Sequence, residues 1–205
     1  MSESILSVDD LEITYRMDGS PDITAVSGCS FEVKQGEYFG LVGESGCGKS
    51  TVAKSIIGAL DGNGEITGGE IQFDRTPIHN YSEKQFRKKL RWTDIAVIPQ
   101  ASMNSLDPIT KISDQAVEIG QTHTNRSAAN LRNRLAELFD IVGLSRSRIS
   151  DYPHQFSGGM EQRAIIAFSL LLEPQLIIAD EPTTALDVIM QDEILAYFDE
   201  IKQGD

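Results

Sequence analysis

One eight-residue segment constrains the fold of this chain more than any other. It fits the pattern G-x-x-x-x-G-K-[ST] and reads Gly43, Glu44, Ser45, Gly46, Cys47, Gly48, Lys49, Ser50. The apolar run at 38–42 predicts a buried strand before it, and residues 49–60 predict a helix after it. In that setting, small residues let backbone N–H groups cradle phosphate oxygens, and the helix N-terminus adds partial positive charge. The segment therefore predicts a phosphate-binding loop.

Two side chains of this loop supply what the backbone lacks. Lys49 offers a mobile positive charge to β- and γ-phosphates, and Ser50 offers a hydroxyl to magnesium. Together with the adjoining Thr51, residues 43–50 are the candidate cofactor-binding residues of this region. We expect the ligand to be ATP with Mg2+.

A second candidate element lies near the other end of the chain. The apolar run at 176–179 is followed by Asp180 and Glu181. A run of this kind is typical of a strand in a parallel sheet, where ligands collect at the carboxyl ends of strands. Asp180 is suited to hold Mg2+ through water, and Glu181 is suited to polarise an attacking water as a general base.

Composition excludes several other classes of protein. The formal net charge is −13, from 18 basic and 31 acidic residues, which argues against a broad nucleic-acid-binding surface. The two cysteines and three scattered histidines provide neither a disulfide framework nor metal-ligand spacing. There is no apolar run of roughly 18 residues and no signal-peptide pattern. We expect a cytoplasmic protein that can dock on a membrane protein.

The order of patterned segments predicts an α/β fold. Strand patterns occur at 5–8, 11–15, 28–33, 69–74 and 95–99, and helical patterns at 82–90, 113–143, 157–172 and 188–202. We predict a single domain over residues 1–205. Its nucleotide-binding core comprises about 1–100 and 171–205, and a helical lobe is inserted at about 101–170.

Three further segments follow one another in a fixed order. Gln100 follows the strand pattern at 95–99, Ser157-Gly158-Gly159-Met160-Glu161-Gln162-Arg163 precedes the acidic strand end, and Ala185-Leu186-Asp187 follows it. In this order they resemble the Q-loop, the LSGGQ signature and the D-loop of ABC-transporter ATPases. The resemblance covers essentially the whole chain. The stretches 98–108, 152–160 and 180–188 are similar to the oligopeptide, dipeptide and nickel importer branch.

This resemblance implies a fold and further site residues. The fold would be a P-loop NTPase core with a mixed or parallel sheet, an N-terminal antiparallel β subdomain and an inserted helical lobe. Tyr15 would stack on adenine, and Gln100 would sense the magnesium site and belong to the catalytic set with Glu181. Ser157, Gly158, Gly159 and Asp187 would join the cofactor-binding set, with the signature contacting the γ-phosphate bound by a second subunit. Residues 100–111 would dock membrane subunits, with these contacts: Asn104, Leu106, Asp107 and Pro108.

The chain also departs from the family pattern. Phe156 replaces the usual Leu of the signature, and Met160-Glu161-Gln162 stands where the usual form ends in GQ. The family normally continues into another strand that ends in a histidine contacting the γ-phosphate, and no histidine of this chain occupies that place. The sequence is therefore similar to a truncated ATPase subunit. We expect nucleotide binding to be largely retained and hydrolysis to be weak.

The implied function is to power import of peptides or nickel-type solutes. The chain would be an ATPase subunit, peripheral on the inner face of the cell membrane, that pairs with an identical or different ATPase subunit and with membrane permease subunits. Two alternatives remain open on the sequence. One is a non-catalytic module that dimerises on ATP, and the other is a soluble ABC protein unconnected with transport.

Overall fold

The computed structural model describes residues 3–99 and 106–179. These residues form two compact units that divide between Arg91 and Trp92. Each unit is described by itself below. The domain boundaries predicted from the sequence stay a prediction.

The first unit contains an antiparallel sheet of four strands in the order β2-β1-β3-β4. Its core includes Leu11, Ile13 and Ile71, none of which is exposed. The sheet confirms the N-terminal antiparallel β subdomain. The two short strands predicted at 5–8 and 11–15 form one strand with register irregularities and a positive φ of 45° at Asp10. The strands are β1 (Ser4–Tyr15), β2 (Ile23–Lys34), β3 (Gly64–Phe73) and β4 (Thr76–Pro77).

Two helices complete this unit, α1 (Lys49–Ile56) and α2 (Glu83–Lys89). Helix α1 ends before residue 60, because Gly58 adopts φ 61° and the Ala59 N–H donates to the Lys54 carbonyl at 2.8 Å. This is the pattern of a glycine-terminated helix. Helix α2 begins as predicted, with Ser82 and Gln85 forming a reciprocal capping box.

The prediction of a buried strand at 38–42 is wrong. These residues lie outside any strand, and the side chain of Val42 is 91% exposed. An apolar run becomes a buried strand only where neighbouring strands satisfy its backbone on both edges. No strand among residues 3–99 and 106–179 pairs with this segment. Instead, the ring of Phe39 stacks on Phe31 of β2 at a centroid distance of 4.8 Å.

The described part of the second unit contains a two-stranded parallel sheet and three α-helices. Its strands β5 (Ile95–Ile98) and β6 (Leu176–Ala179) pair in parallel, which confirms both predicted strands. The predicted helical region at 113–143 consists of two helices, because Thr124 is extended and Ser127 caps a new helix start. The helices are α3 (Ile112–His123), α4 (Ala128–Ile141) and α5 (Gly158–Ser169).

A spaced row of apolar residues on α4 forms the centre of this second core. Leu131, Leu135, Leu138 and Val142 have no exposed surface, as their helical spacing predicts. They pack with residues of α3 and α5 in one hydrophobic cluster. Within the described part of the chain, every helix is too short or too polar to cross a bilayer. The helix predicted at 188–202 lies outside the described residues.

Candidate functional site

The loop at 43–50 is shaped by glycine backbone conformations. Gly48 is the N-cap of α1 with φ 95° and ψ 4°, and Gly46 has φ 81°. A Cβ atom on Gly48 would lie 2.6 Å from the carbonyl oxygen of Ala25. Only glycine fits this conformation and this close approach. The first turn of α1 is thereby packed against the beginning of β2, with its N-terminal N–H groups directed at the loop.

Lys49 places its ammonium group on the same loop. Its Nζ donates to the carbonyl oxygens of Gly43 at 2.8 Å and Glu44 at 2.7 Å, and lies 3.7 Å from Cys47 Sγ. Ser50 is exposed and Thr51 is half-buried, one and two residues further along the first turn of α1. The structure thus places one cation and one hydroxyl beside a loop with two glycines at positive φ. These groups fit the phosphates of a nucleotide and a magnesium ion.

Tyr15 lies beside the beginning of β2, the end of that strand that Gly48 approaches. Tyr15 pairs with Ile23 of β2, and Ala25, two residues further on, carries the carbonyl that Gly48 approaches. Two residues of strand span about 7 Å. The Tyr15 ring is half-buried and lies against Gly64, where a Cβ would be 2.9 Å from Tyr15 Cε1. An aromatic ring therefore lies at the same end of β2 as the phosphate loop.

The signature segment forms the start of α5 in the second unit. Ser157 is the N-cap, and its Oγ accepts a hydrogen bond from the Met160 N–H at 3.4 Å. Gly158 and Gly159 are the first two helical residues, whose N–H groups have no acceptor within an α-helix. Arg163 stabilises this turn by donating hydrogen bonds to the carbonyls of Gly159 at 3.2 Å and Gly143 at 3.1 Å. Helix N-termini of this kind are suited to bind anions.

Four predicted site residues lie outside the described residues: Gln100, Asp180, Glu181 and Asp187. Their roles stay predictions. The structure does describe Ile98 and Ala179, the last residues of β5 and β6, which are paired with each other. Parallel strands end at the same edge of a sheet, so the chain leaves β5 and β6 on one edge.

The predicted docking segment is described from residue 106 onward, and Leu106 does not fit the prediction. Leu106 is only 7% exposed and belongs to the hydrophobic core, so it cannot contact a partner from this position. The neighbouring Ile109, for which no contact was predicted, is 83% exposed. Its place in a short turn between Pro108 and Thr110 was the available signal for its exposure.

The turn that carries Ile109 is held by Asp107. The Thr110 hydroxyl donates to the Asp107 carboxylate at 2.6 Å, and the Ile109 N–H donates to it at 3.1 Å. These hydrogen bonds stabilise the ionised form and lower the pKa of the Asp107 carboxyl below its ordinary value, the Thr110 bond contributing most. The exposed isoleucine is therefore presented on an ordered turn.

The fold and the order of the sequence motifs point to one class of protein. The ABC transporter family profile matches residues 26–184. The chain belongs to the ABC transporter family, and its α/β cassette fold is that of the P-loop NTPases.

Curated relatives place the chain in one branch of this family. It is 42% identical to the oligopeptide transport ATP-binding protein OppD of Escherichia coli (strain K12), over 98% of this chain and 60% of that relative. It is 43% identical to the metal-staphylopine import system ATP-binding protein CntD of Staphylococcus aureus (strain Mu50), over 98% of this chain and 73% of that relative. The chain thus spans about 60% of the length of its oligopeptide-transport relative.

A solved structure gives the same fold. The dimeric post-hydrolysis state of the ATP-binding cassette MJ0796, bound to ADP and Pi, superposes with a TM-score of 0.84. The two sequences are 29% identical, and the match covers 98% of this chain and 84% of that one.

Proposed function

We propose that this chain binds ATP with Mg2+ and serves as the ATP-binding subunit of an importer. The observation that carries the proposal is the geometry of Gly48 and Lys49. A glycine-only backbone conformation directs the N-terminus of α1 at the loop, and Lys49 places its ammonium over that loop. The family assignment and the names of the relatives support the same conclusion.

Each predicted residue has a distinct task in this proposal. The amides of the loop and Lys49 hold the phosphates, and Ser50 and Asp180 hold Mg2+, which neutralises phosphate charge when bound. Glu181 takes a proton from the attacking water, and Gln100 contacts the magnesium site. Tyr15 would stack on the base, and Asp187 would contribute to nucleotide binding. Hydrolysis by this set is phosphoryl transfer to water, in which positioning and electrostatics supply most of the rate.

A second ATPase subunit completes the site in this proposal. Ser157, Gly158 and Gly159 of one copy bind the γ-phosphate held by residues 43–50 of the other. The free N–H groups at the start of α5 are suited to that role. Support comes from the cassette relative, whose structure is a dimer with ADP and Pi.

The remaining partners are membrane permease subunits. They would place the chain on the inner face of the cell membrane, and the ordered turn carrying Ile109 is a suitable contact for them. The transported solutes would be peptides or metal complexes, as the names of OppD and CntD indicate for those relatives. These names favour an importer subunit over a non-catalytic dimerisation module or a soluble ABC protein. Co-purification of the chain with a permease separates these possibilities.

The binding claim is tested by titrating the protein with MgATP in a calorimeter. Lys49→Ala removes a charge-assisted contact, which contributes about 1.5–3 kcal/mol, so the Kd is expected to rise about tenfold or more. Lys54→Ala is the matched control, because Lys54 lies on the same helix and pairs with Asp61 on the surface. Its affinity should match the wild type. Equal affinity of the Lys49→Ala and wild-type proteins would contradict the proposed site.

A further inference from the structure

Arg148 contacts the residues on both sides of the signature cap. It lies in the 3-10 turn Arg146–Ser150, and its guanidinium is 5.3 Å from the centre of the Phe156 ring. Its Nη1 lies 3.4 Å from Met160 Sδ, and its Nε donates to the Asp151 carboxylate at 3.0 Å. One side chain therefore connects the residue before Ser157 with the residue three positions after it.

These two contacts coincide with the departures from the usual signature. Phe156 stands in place of Leu, and Met160 follows the two glycines where LSGGQ has Gln. Both substituted side chains touch the same guanidinium. An aromatic ring and a thioether are the side chains that a planar cation can stack on and approach closely. Phe156 and Met160 thus both pack against Arg148.

The position of these three side chains determines the conformation at the start of α5. Phe156 is buried against Phe139 at a centroid distance of 6.4 Å, so the ring under Arg148 is anchored in the core. Met160 provides the N–H that the Ser157 hydroxyl caps. Arg148 therefore holds both ends of the turn that presents the N–H groups of Gly158 and Gly159.

A stabilising ion pair does not account for this arrangement. The side chains of Arg148 and Asp151 are 35% and 29% exposed, and pairs accessible to solvent contribute little to stability. Asp151 instead orients the guanidinium. Its carboxylate accepts from the Nε–H of Arg148, while Cζ lies over the Phe156 ring and Nη1 contacts Met160 Sδ.

We propose that Arg148 is a positioning residue for the second phosphate-binding element. It fixes the first turn of α5 so that Ser157 Oγ and the amides of Gly158 and Gly159 keep the orientation needed to meet a phosphate. The inference rests on the proposed function of that element and adds a residue outside every motif. Lysine cannot replace it, since an ammonium lacks the planar face and the second N–H direction.

The first test is hydrogen exchange of the protein without nucleotide. In Arg148→Ala, the amides of Met160 and Glu161 are expected to exchange about tenfold faster, while those of Leu135 and Leu138 on α4 keep the wild-type rate. Arg146→Ala is the matched control, because Arg146 lies in the same turn and pairs with Asp140 at the surface. Unchanged exchange at Met160 and Glu161, or parallel acceleration throughout α4 and α5, would overturn the inference.

The second test is compensation. Arg148→Ala and Arg148→Lys should each weaken ATP-dependent association of two copies by about tenfold, a loss of about 1.4 kcal/mol. In a Phe156→Leu, Met160→Leu background, adding Arg148→Ala should cause no further loss, because leucine offers the guanidinium neither an aromatic face nor a hydrogen-bond acceptor. An equal loss in both backgrounds overturns the inference. A wild-type protein that does not associate with ATP contradicts the proposed function instead, and the exchange experiment still decides the role of Arg148.

Discussion

At the scale of single residues, Gly48 determines whether the phosphate loop can form. Its φ of 95° lies in the region that favours glycine, and its α-carbon faces the Ala25 carbonyl of β2. Any side chain there meets backbone atoms, which cannot rotate away as a side chain can. The loop conformation and the direction of the α1 N-terminus therefore depend on this one position.

Replacing Gly48 with alanine should disrupt nucleotide binding. The left-handed conformation costs a non-glycine residue about 1–2 kcal/mol, and the contact with Ala25 must be relieved by moving the loop. We expect MgATP affinity, measured by calorimetry, to fall at least about tenfold. Gly62→Ala is the control, since a Cβ at Gly62 meets nothing within 4 Å and should leave binding unchanged. Wild-type affinity in Gly48→Ala would show that the loop conformation is not required.

At the scale of secondary-structure elements, Gln115 of α3 anchors the turn at 107–110. Its Oε1 accepts from the Asp107 N–H at 3.0 Å, and its Nε2 donates to the carbonyls of Asp107 at 3.0 Å and Thr110 at 2.9 Å. Gln115 is only 9% exposed, so its amide relies on these three hydrogen bonds within the protein. The exposed Ile109 thus depends on a side chain of the neighbouring helix.

Gln115→Ala is expected to destabilise the second unit. Loss of the amide removes three hydrogen bonds to the backbone of the turn, which costs about 1–3 kcal/mol in unfolding free energy. Urea denaturation measures this change, and Gln121→Ala serves as the control because Gln121 is exposed on the same helix. Equal stability of the Gln115→Ala and Gln121→Ala proteins would contradict the anchoring role of Gln115.

Local patterns in the sequence predicted the elements whose causes are local. The helical spacing of Leu131, Leu135 and Leu138, and the Ser82 capping box of α2, depend on neighbours a few residues away. The segment at 38–42 was misjudged because a buried strand needs partners from distant parts of the chain. Ser157 could be found from its motif, whereas Arg148 could not, because its contacts with Phe156 and Met160 exist only after the 3-10 turn folds against α5.

At the scale of the whole molecule, the net charge acts on a nucleotide at long range, whereas the proposed phosphate contacts act locally. The chain carries a formal charge of −13, so its overall field repels an anionic nucleotide. Salt screens such fields beyond about 8 Å at physiological ionic strength. Affinity must then come from groups in contact with the phosphates, which in the proposed site are the loop amides, Lys49 and the N-terminus of α1. The acidic surface is compatible with a phosphate site because that site is local.

In the proposed shared site, each nucleotide is bound between two copies of the molecule in an arrangement called a sandwich. Each copy contributes a phosphate loop around Lys49 to one sandwich and a signature beginning at Ser157 to the other. A variant damaged in one element and a variant damaged in the other should therefore complement each other. Two damaged elements meet at one site, and two intact elements meet at the other.

The most direct measurement is the mass of complexes formed when these two variants are mixed with MgATP. Lys49→Ala and Ser157→Arg would each carry Glu181→Gln to prevent turnover, and sedimentation with bound-nucleotide analysis would follow assembly. We expect each variant alone to remain monomeric and the mixture to form heterodimers that hold one ATP per pair. A mixture that stays monomeric, while the protein carrying Glu181→Gln alone dimerises with ATP, would contradict the shared site.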